Sequence, residues 1–473
     1  MAGIRPQNLR QVAALSALLA LALGPAVPLR ASEEAVKKIE GFKKRFVGGS
    51  PDVRAGAVED LTGSDDLQIT RRIVEDAFND QESVVNLAGV KVLSGIKDPA
   101  SIDWLITPPL KSDKAQVRYL TVETLTHLTD ARVNPALMEA LKDGNWLTVA
   151  SAVRGLAARK VADAAPALLP LLENKDQRLR VVAADALAEL KAPGAGPALA
   201  KLLDGDKEWR VKVAAAEGLV KLKFVDGLAT LKRQRQTSEG RIKDDLAQAI
   251  KALTPADPAG DDKGTDDYKD YDLKYYGVGS NSKRLLFIID CSDSMKTPMG
   301  LSAKKVDLEE GCESTRLGIV QSELIRALNQ LQKSAGAKFN IIFVHTQNDV
   351  WQKTMVPATP EKVGLAIKHV KRQKASGRTN LCDALCAALA IEDGGAIDLK
   401  DADLKEDPDT IFVLSDGEPN DGKYKRMNDI LDAVRDVNQY ARVRIHSIGT
   451  GDSNFLKELA KQNGGSFVSK LEF

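Results

Sequence analysis

At 473 residues the chain is long for one domain and comfortable for two, and a composition that is 43% hydrophobic and 28% charged is ordinary for a folded protein. Lysine and arginine (67) balance aspartate and glutamate (66) to a formal net charge of +1, so no overall electrostatic pull toward nucleic acid is expected.

Arg5 and Arg10 precede an apolar stretch from Val12 to Leu23, and small residues follow around Gly24-Pro25-Ala26 and Ala31. This is the layout of a secretory signal peptide over residues 1–31, too short for a membrane span. No other segment approaches 18 consecutive apolar residues. The expectation is an exported protein of the periplasm, cell surface or extracellular space, held at a membrane only if the leader is left uncleaved.

Beyond the leader the chain repeats itself. Leu61, Leu93, Leu125, Leu156, Leu187 and Leu219 are spaced by 32, 32, 31, 31 and 32 residues. Eight residues before each stands Val53, Val85, Val117, Thr148, Leu179 or Val211, often followed by a basic residue, as in Val53-Arg54, Val117-Arg118 and Val211-Lys212. Pro-Ala-Leu recurs at Pro135, Pro166 and Pro197. Proline is favoured in the first turn of a helix, where its missing N–H would be unpaired anyway, so these tripeptides mark helix starts. Small residues at Ala57, Gly89, Ala152, Ala183 and Ala215 let neighbouring helices approach closely. Each unit is a helix pair, and the stack is an α-solenoid. The pattern resembles HEAT repeats of the phycobilisome-lyase type from about residue 50 to 222, with a degenerate closing unit to about 254. That resemblance implies a protein-binding scaffold over residues 32–254.

A breaker-rich stretch, Pro255 to Gly264, and an acidic run from Asp266 to Asp272 read as a linker over residues 255–282. Its Asp, Tyr and Lys residues lack the ligand order of a calcium loop. The remainder, 283–473, alternates strands with helices. Leu285 to Ile289 is a short apolar run, Phe339 to Val344 is apolar on both faces, and Ile411 to Leu414 and Val443 to Ile448 follow. Between them Leu317, Val320, Leu324, Ala327 and Leu331 have the spacing of an amphipathic helix over Thr315 to Leu331. This alternation predicts a parallel sheet covered on both faces, the α/β doubly wound class.

Asp290-Cys291-Ser292-Asp293-Ser294 follows the first strand, and Ser415-Asp416-Gly417 follows the third. Ligands of open α/β sheets bind beyond the carboxyl ends of strands, and a carboxylate with hydroxyls at alternate positions supplies the hard oxygens that magnesium or manganese prefers. The spacing D-x-S-x-S, the loop Gly377-Arg378-Thr379-Asn380 and the strand ending in Ser-Asp-Gly-Glu-Pro resemble the von Willebrand factor A family with its metal-ion-dependent adhesion site. The resemblance implies that Ser292, Ser294 and Thr379 reach a cation through hydroxyls, that Asp290 and Asp416 act directly or through water, and that an acidic residue of a protein partner completes the coordination. Mg2+ or Mn2+ is the implied ion, with Ca2+ as an alternative. Asp293 and Arg378 depart from the family, which usually has Gly at the first position and often at the second.

All four cysteines, Cys291, Cys312, Cys382 and Cys386, lie in this half. In an oxidising compartment either Cys291 or Cys312 is expected to pair with the Cys382/Cys386 helix, the alternative being free thiols. No H-E-x-x-H, G-x-S-x-G or Walker loop is present, and His127, His345, His369 and His446 are scattered, so no enzyme is expected. The sequence therefore points to an exported adhesion or scaffold protein, with an acidic partner at the metal site and a second protein on the solenoid. The alternative is a regulatory subunit of an ATPase or metal-chelatase-like assembly.

Overall fold

The computed structural model describes residues 32–254, 271–298, 308–390, 408–424, 426–449 and 453–469. The leader expected over residues 1–31 and the part of the linker at 255–270 lie outside these. Residues 32–254 are helical, as the repeat predicts: α1 Glu33–Phe46, α2 Pro51–Glu59, α3 Leu67–Asp76, α4 Ser83–Leu93, α5 Pro99–Leu105, α6 Ala115–His127, α7 Val133–Ala140, α8 Trp146–Ala158, α9 Ala165–Leu168, α10 Gln177–Glu189, α11 Ala195–Gly205, α12 Trp209–Lys221, α13 Leu228–Thr237 and α14 Arg241–Leu253. The six leucine anchors are all buried, and Pro135, Pro166 and Pro197 fall in the first turns of α7, α9 and α11. A side chain at Gly89 would sit 2.9 Å from the Phe78 ring, so the small residue leaves room there for the preceding unit to pack against α4.

At three of the six anchor positions the arginine that follows ties one unit to the next. Arg54 on α2 forks onto Asp80 ahead of α4 (2.7 and 2.8 Å), Arg118 on α6 onto Asp143 ahead of α8 (2.7 and 3.0 Å), and Arg180 on α10 onto Asp206 ahead of α12 (2.7 and 3.1 Å). A two-pronged guanidinium–carboxylate contact fixes direction as well as distance, so it sets the stacking angle of neighbouring pairs.

The second half is built on one sheet in the order β5-β4-β3-β7-β8-β9, with β6 also on β4. Its strands are β3 Arg284–Asp290, β4 Lys338–Val344, β5 Asp349–Val350, β6 Val356–Pro357, β7 Thr410–Ser415, β8 Arg444–Gly449 and β9 Phe467–Ser469. β3, β4, β7, β8 and β9 run parallel, and the two short strands β5 and β6 pair antiparallel with β4. On one face Leu285, Phe287 and Ile289 pack with α15 Arg316–Leu331 and α16 Pro360–Arg372; on the other Leu286 and Ile288 pack with α17 Leu381–Ala388, α18 Met427–Ala441 and α19 Asn454–Gln462. The chain passes from β3 to β4 on one side and returns to β7 on the other, which puts the topological switch between β3 and β7.

Residues 271–282, read from the sequence as linker, contain the antiparallel hairpin β1 Leu273–Tyr275 and β2 Val278–Ser280. Tyr275 is buried edge-on against Phe287 (5.4 Å) and Phe412 (5.4 Å), so the hairpin closes one face of the sheet.

The solenoid grips the opposite end of this sheet from the Asp290 loop. Arg178, Arg210 and Arg241 stand in repeat register, 32 and 31 residues apart, as do Arg154, Asp185 and Glu217, 31 and 32 apart. Arg210 donates to the Ala441 carbonyl (2.8 Å), Arg241 to the carbonyls of Asp409 (2.7 Å) and Arg442, and Arg154 to the Tyr440 hydroxyl. Arg442 returns the contact to Glu217 (2.6 Å) and Asp185, and Arg444 to Asp245. Trp146 lies edge-on to Tyr440 at 5.2 Å under the Arg178 guanidinium, which stacks on it at 4.0 Å. Helices α8, α10, α12 and α14 of the solenoid thus each present side chains to the chain's own α/β domain.

Candidate metal centre

The switch between β3 and β7 carries both acidic loops. Asp290 ends β3 with its carboxylate wholly buried, accepting from the Ser292 N–H (2.8 Å) and the Ser415 hydroxyl (2.5 Å). The Ser292 and Ser294 hydroxyls are 3.0 Å apart, and Ser294 donates to Asp416 Oδ1 at 2.6 Å. Asp290, Ser292, Ser294 and Asp416 are therefore linked in one hydrogen-bonded chain. Burial, and next to it the charge of Asp416, pushes the Asp290 carboxyl above its ordinary range, against the hydrogen bonds from Ser415 and Ser292.

Thr379 lies on a separate loop whose preceding residues are tied to the Asp290 loop through the backbone. Ser376 N–H donates to Cys291 O (2.7 Å), and Asp293 N–H to Gly377 O (3.0 Å). Gly377 has φ +75°, a left-handed conformation that suits glycine, and a Cβ there would lie 2.6 Å from the Thr346 hydroxyl. Thr379 itself is buried, its N–H donating to Asn420 Oδ1 (3.0 Å), which joins the loop after β7 to the same group.

The two departures from the family resolve differently. Asp293 is satisfied by Lys296 at 2.5 Å, and that pairing holds its carboxyl below the usual range. Arg378 is exposed. A cation does touch the cluster: Arg316, whose Nη1 donates to Asp416 Oδ2 at 2.7 Å. Sequence reasoning missed it, because a helix start after the capping Thr315 does not by itself say which loop its first side chain meets.

The cysteine pairing expected from the sequence is not formed. All four are free thiols. Cys291 and Cys312 belong to the core on one face of the sheet, and Cys382 and Cys386 to the core on the other, so the sheet itself separates the expected partners.

Among the described residues no group of three or more His, Cys, Asp and Glu side chains could hold a metal ion. A cation at this site would rest on hydroxyls together with carboxylates. That donor set is hard and oxygen-only, and it includes a buried carboxylate, so it fits a small divalent ion.

The profile of HEAT repeats matches residues 107–180 and 165–251, and the profile of the von Willebrand factor type A domain matches residues 306–468. The chain joins HEAT repeats to a von Willebrand factor A domain. The domain match starts after the Asp290 loop, and β3 belongs to the same fold through its pairing with β4 and β7. The chain is 26% identical over 187 residues to inter-alpha-trypsin inhibitor heavy chain H1 of Mesocricetus auratus, covering 39% of this chain and 18% of that protein. It is 29% identical over 196 residues to heavy chain H4 of Homo sapiens, covering 40% and 18%. The chain thus spans less than a fifth of the length of these relatives. Among solved structures, the complex of CpcE and CpcF of phycocyanin lyase from Nostoc sp. PCC7120 overlaps with a TM-score of 0.27 at 16% identity, covering 49% of this chain and 98% of that one. HEAT repeats and a von Willebrand A domain make a protein-interaction scaffold. Among the described residues no helix is long and apolar enough to cross a membrane.

Proposed function

We propose that this chain is an exported, non-enzymatic binding protein whose von Willebrand A domain takes an acidic residue of a protein partner through a divalent ion. Asp290, Ser292, Ser294, Thr379 and Asp416 are the residues assigned to the ion, with Mg2+ or Mn2+ as its identity. When bound, the ion supplies a Lewis-acid contact to the partner's carboxylate. Asp290 holds the Ser292 backbone in place, Ser294 and Asp416 orient one another, and the 376–379 loop brings in Thr379. The observation that carries the reading is the hydrogen-bonded chain from Asp290 to Asp416 at the carboxyl ends of β3 and β7. The HEAT array serves the same purpose by gripping the far end of the domain, which leaves the Asp290 end presented outward.

The test is capture of partners on immobilised wild-type protein and on Asp416→Ala, each in magnesium and in chelator. Magnesium-dependent capture by wild type that is lost in the variant, with the circular dichroism unchanged, is the expected result. Equal capture in all four conditions would sink the reading.

A further inference from the structure

Both oxygens of Asp416 are engaged inside the chain: Oδ1 by the Ser294 hydroxyl at 2.6 Å and Oδ2 by Arg316 at 2.7 Å. The Asp416 side chain is 0% exposed, whereas that of Arg316 is 29% exposed and so reaches from the buried carboxylate to solvent. The backbone of Arg316 is held where it stands. The residue is the first of α15, its N–H donates to Thr297 O (3.0 Å), and the Thr315 hydroxyl caps the helix by accepting from the Gly318 N–H (3.2 Å). Lys296, two residues beyond Ser294, is paired with Asp293.

A guanidinium stays charged at all accessible pH, and its contact with a carboxylate is charge-assisted. A divalent ion bound to Ser294 and Asp416 would face that guanidinium as a like charge, so the pairing and the ion compete for one carboxylate. We propose that Arg316 is the built-in counter-cation of this site, holding Asp416 when no ion is bound and turning to the partner's carboxylate when ion and partner bind together. The inference rests on the metal reading above and deepens it. Arg316 lowers the affinity for the bare ion and raises the ion's dependence on an acidic ligand, which makes the two bind cooperatively. It is a positioning residue for Asp416 and a specificity residue for the ligand's charge.

The probe is Mn2+, titrated into the full chain by calorimetry and by water-proton relaxation, in sodium acetate or in sodium chloride of equal ionic strength. Wild type is expected to bind Mn2+ more tightly in acetate. Arg316→Gln should bind the bare ion on the order of ten- to a hundred-fold more tightly, as removal of a like charge a few ångströms away implies, and should lose the acetate effect. Arg316→Lys keeps the charge and should stay within about two-fold of wild type, which separates charge from packing. Equal Mn2+ affinity in wild type and a folded Arg316→Gln overturns the proposal and leaves the metal reading standing. Absence of binding in every protein overturns the metal reading itself, and the proposal with it. Should Arg316→Gln not fold, the wild-type comparison decides: an affinity indifferent to acetate overturns the role assigned to Arg316.

Discussion

Asp245→Ala should loosen the grip of the solenoid on the von Willebrand A domain. The carboxylate stands between two guanidiniums, Arg241 on its own helix (3.2 Å) and Arg444 at the start of β8. All three side chains are nearly sealed from solvent, at 6%, 7% and 9% exposure for Arg241, Asp245 and Arg444. Removing one partner of a buried ion pair costs about 3–5 kcal/mol, because the charge left behind is desolvated without compensation. Here two like charges would be left facing each other, so the upper half of that range is expected. Urea unfolding followed by tryptophan fluorescence reads the event directly, since Trp146 and Trp209 both stack on arginines of this interface. Arg444→Ala and the double variant complete a cycle, with a coupling of about 2 kcal/mol or more expected for a buried pair in direct contact. A single-variant loss below about 1 kcal/mol, together with a coupling within about 0.5 kcal/mol of zero, would refute the buried-charge reasoning.

Burial, and after it the charges of Arg444 and Arg241, lowers the His446 pKa from 6.5 to about 3, and its Nδ1 accepts from the Ser466 N–H at 3.0 Å. The unfolded chain binds this proton between pH 6.5 and about 3 while the folded chain does not, so stability falls as pH is lowered through that window, by on the order of 5 kcal/mol in all. His446→Gln should flatten that part of the stability profile, and an unchanged slope in denaturant titrations at several pH values would count against it. Gly377→Ala forces a side chain into a left-handed conformation and onto Thr346, at a cost of about 1–3 kcal/mol. Thermal unfolding should show that loss and Mn2+ titration a weakened site; a variant normal in both would mean that the loop's geometry does not depend on glycine.

Much of this architecture is legible because it rests on periodicity. A leucine every 31 or 32 residues can be buried along one stack only if each unit repeats the same helix pair. The strands before Asp290 and Asp416 are short apolar runs that only a doubly covered sheet can bury, and the acidic residues that follow fall at its switch point. What escaped the reading depends on which face a residue occupies after folding. Cys291 and Cys382 are close along the expected topology but on opposite sides of the sheet. Tyr275 and Tyr276 sit in a three-residue strand and its turn, too short to show alternation beside an acidic run. The ladder of Arg178, Arg210 and Arg241 shares the period of the leucines, yet only a partner surface distinguishes it from a solvated stripe. Arg316 belongs to a helix start whose orientation toward Asp416 is set by the fold.

The most direct test of the central claim is calorimetric titration of the full chain with Mg2+ and Mn2+ beside Asp290→Asn, which keeps the shape of the buried acceptor and removes its charge. The account predicts saturable binding at one site in wild type and its loss in a variant that remains folded. Binding of equal strength in both proteins would place the ion elsewhere and contradict the assignment of Asp290, Ser292, Ser294, Thr379 and Asp416.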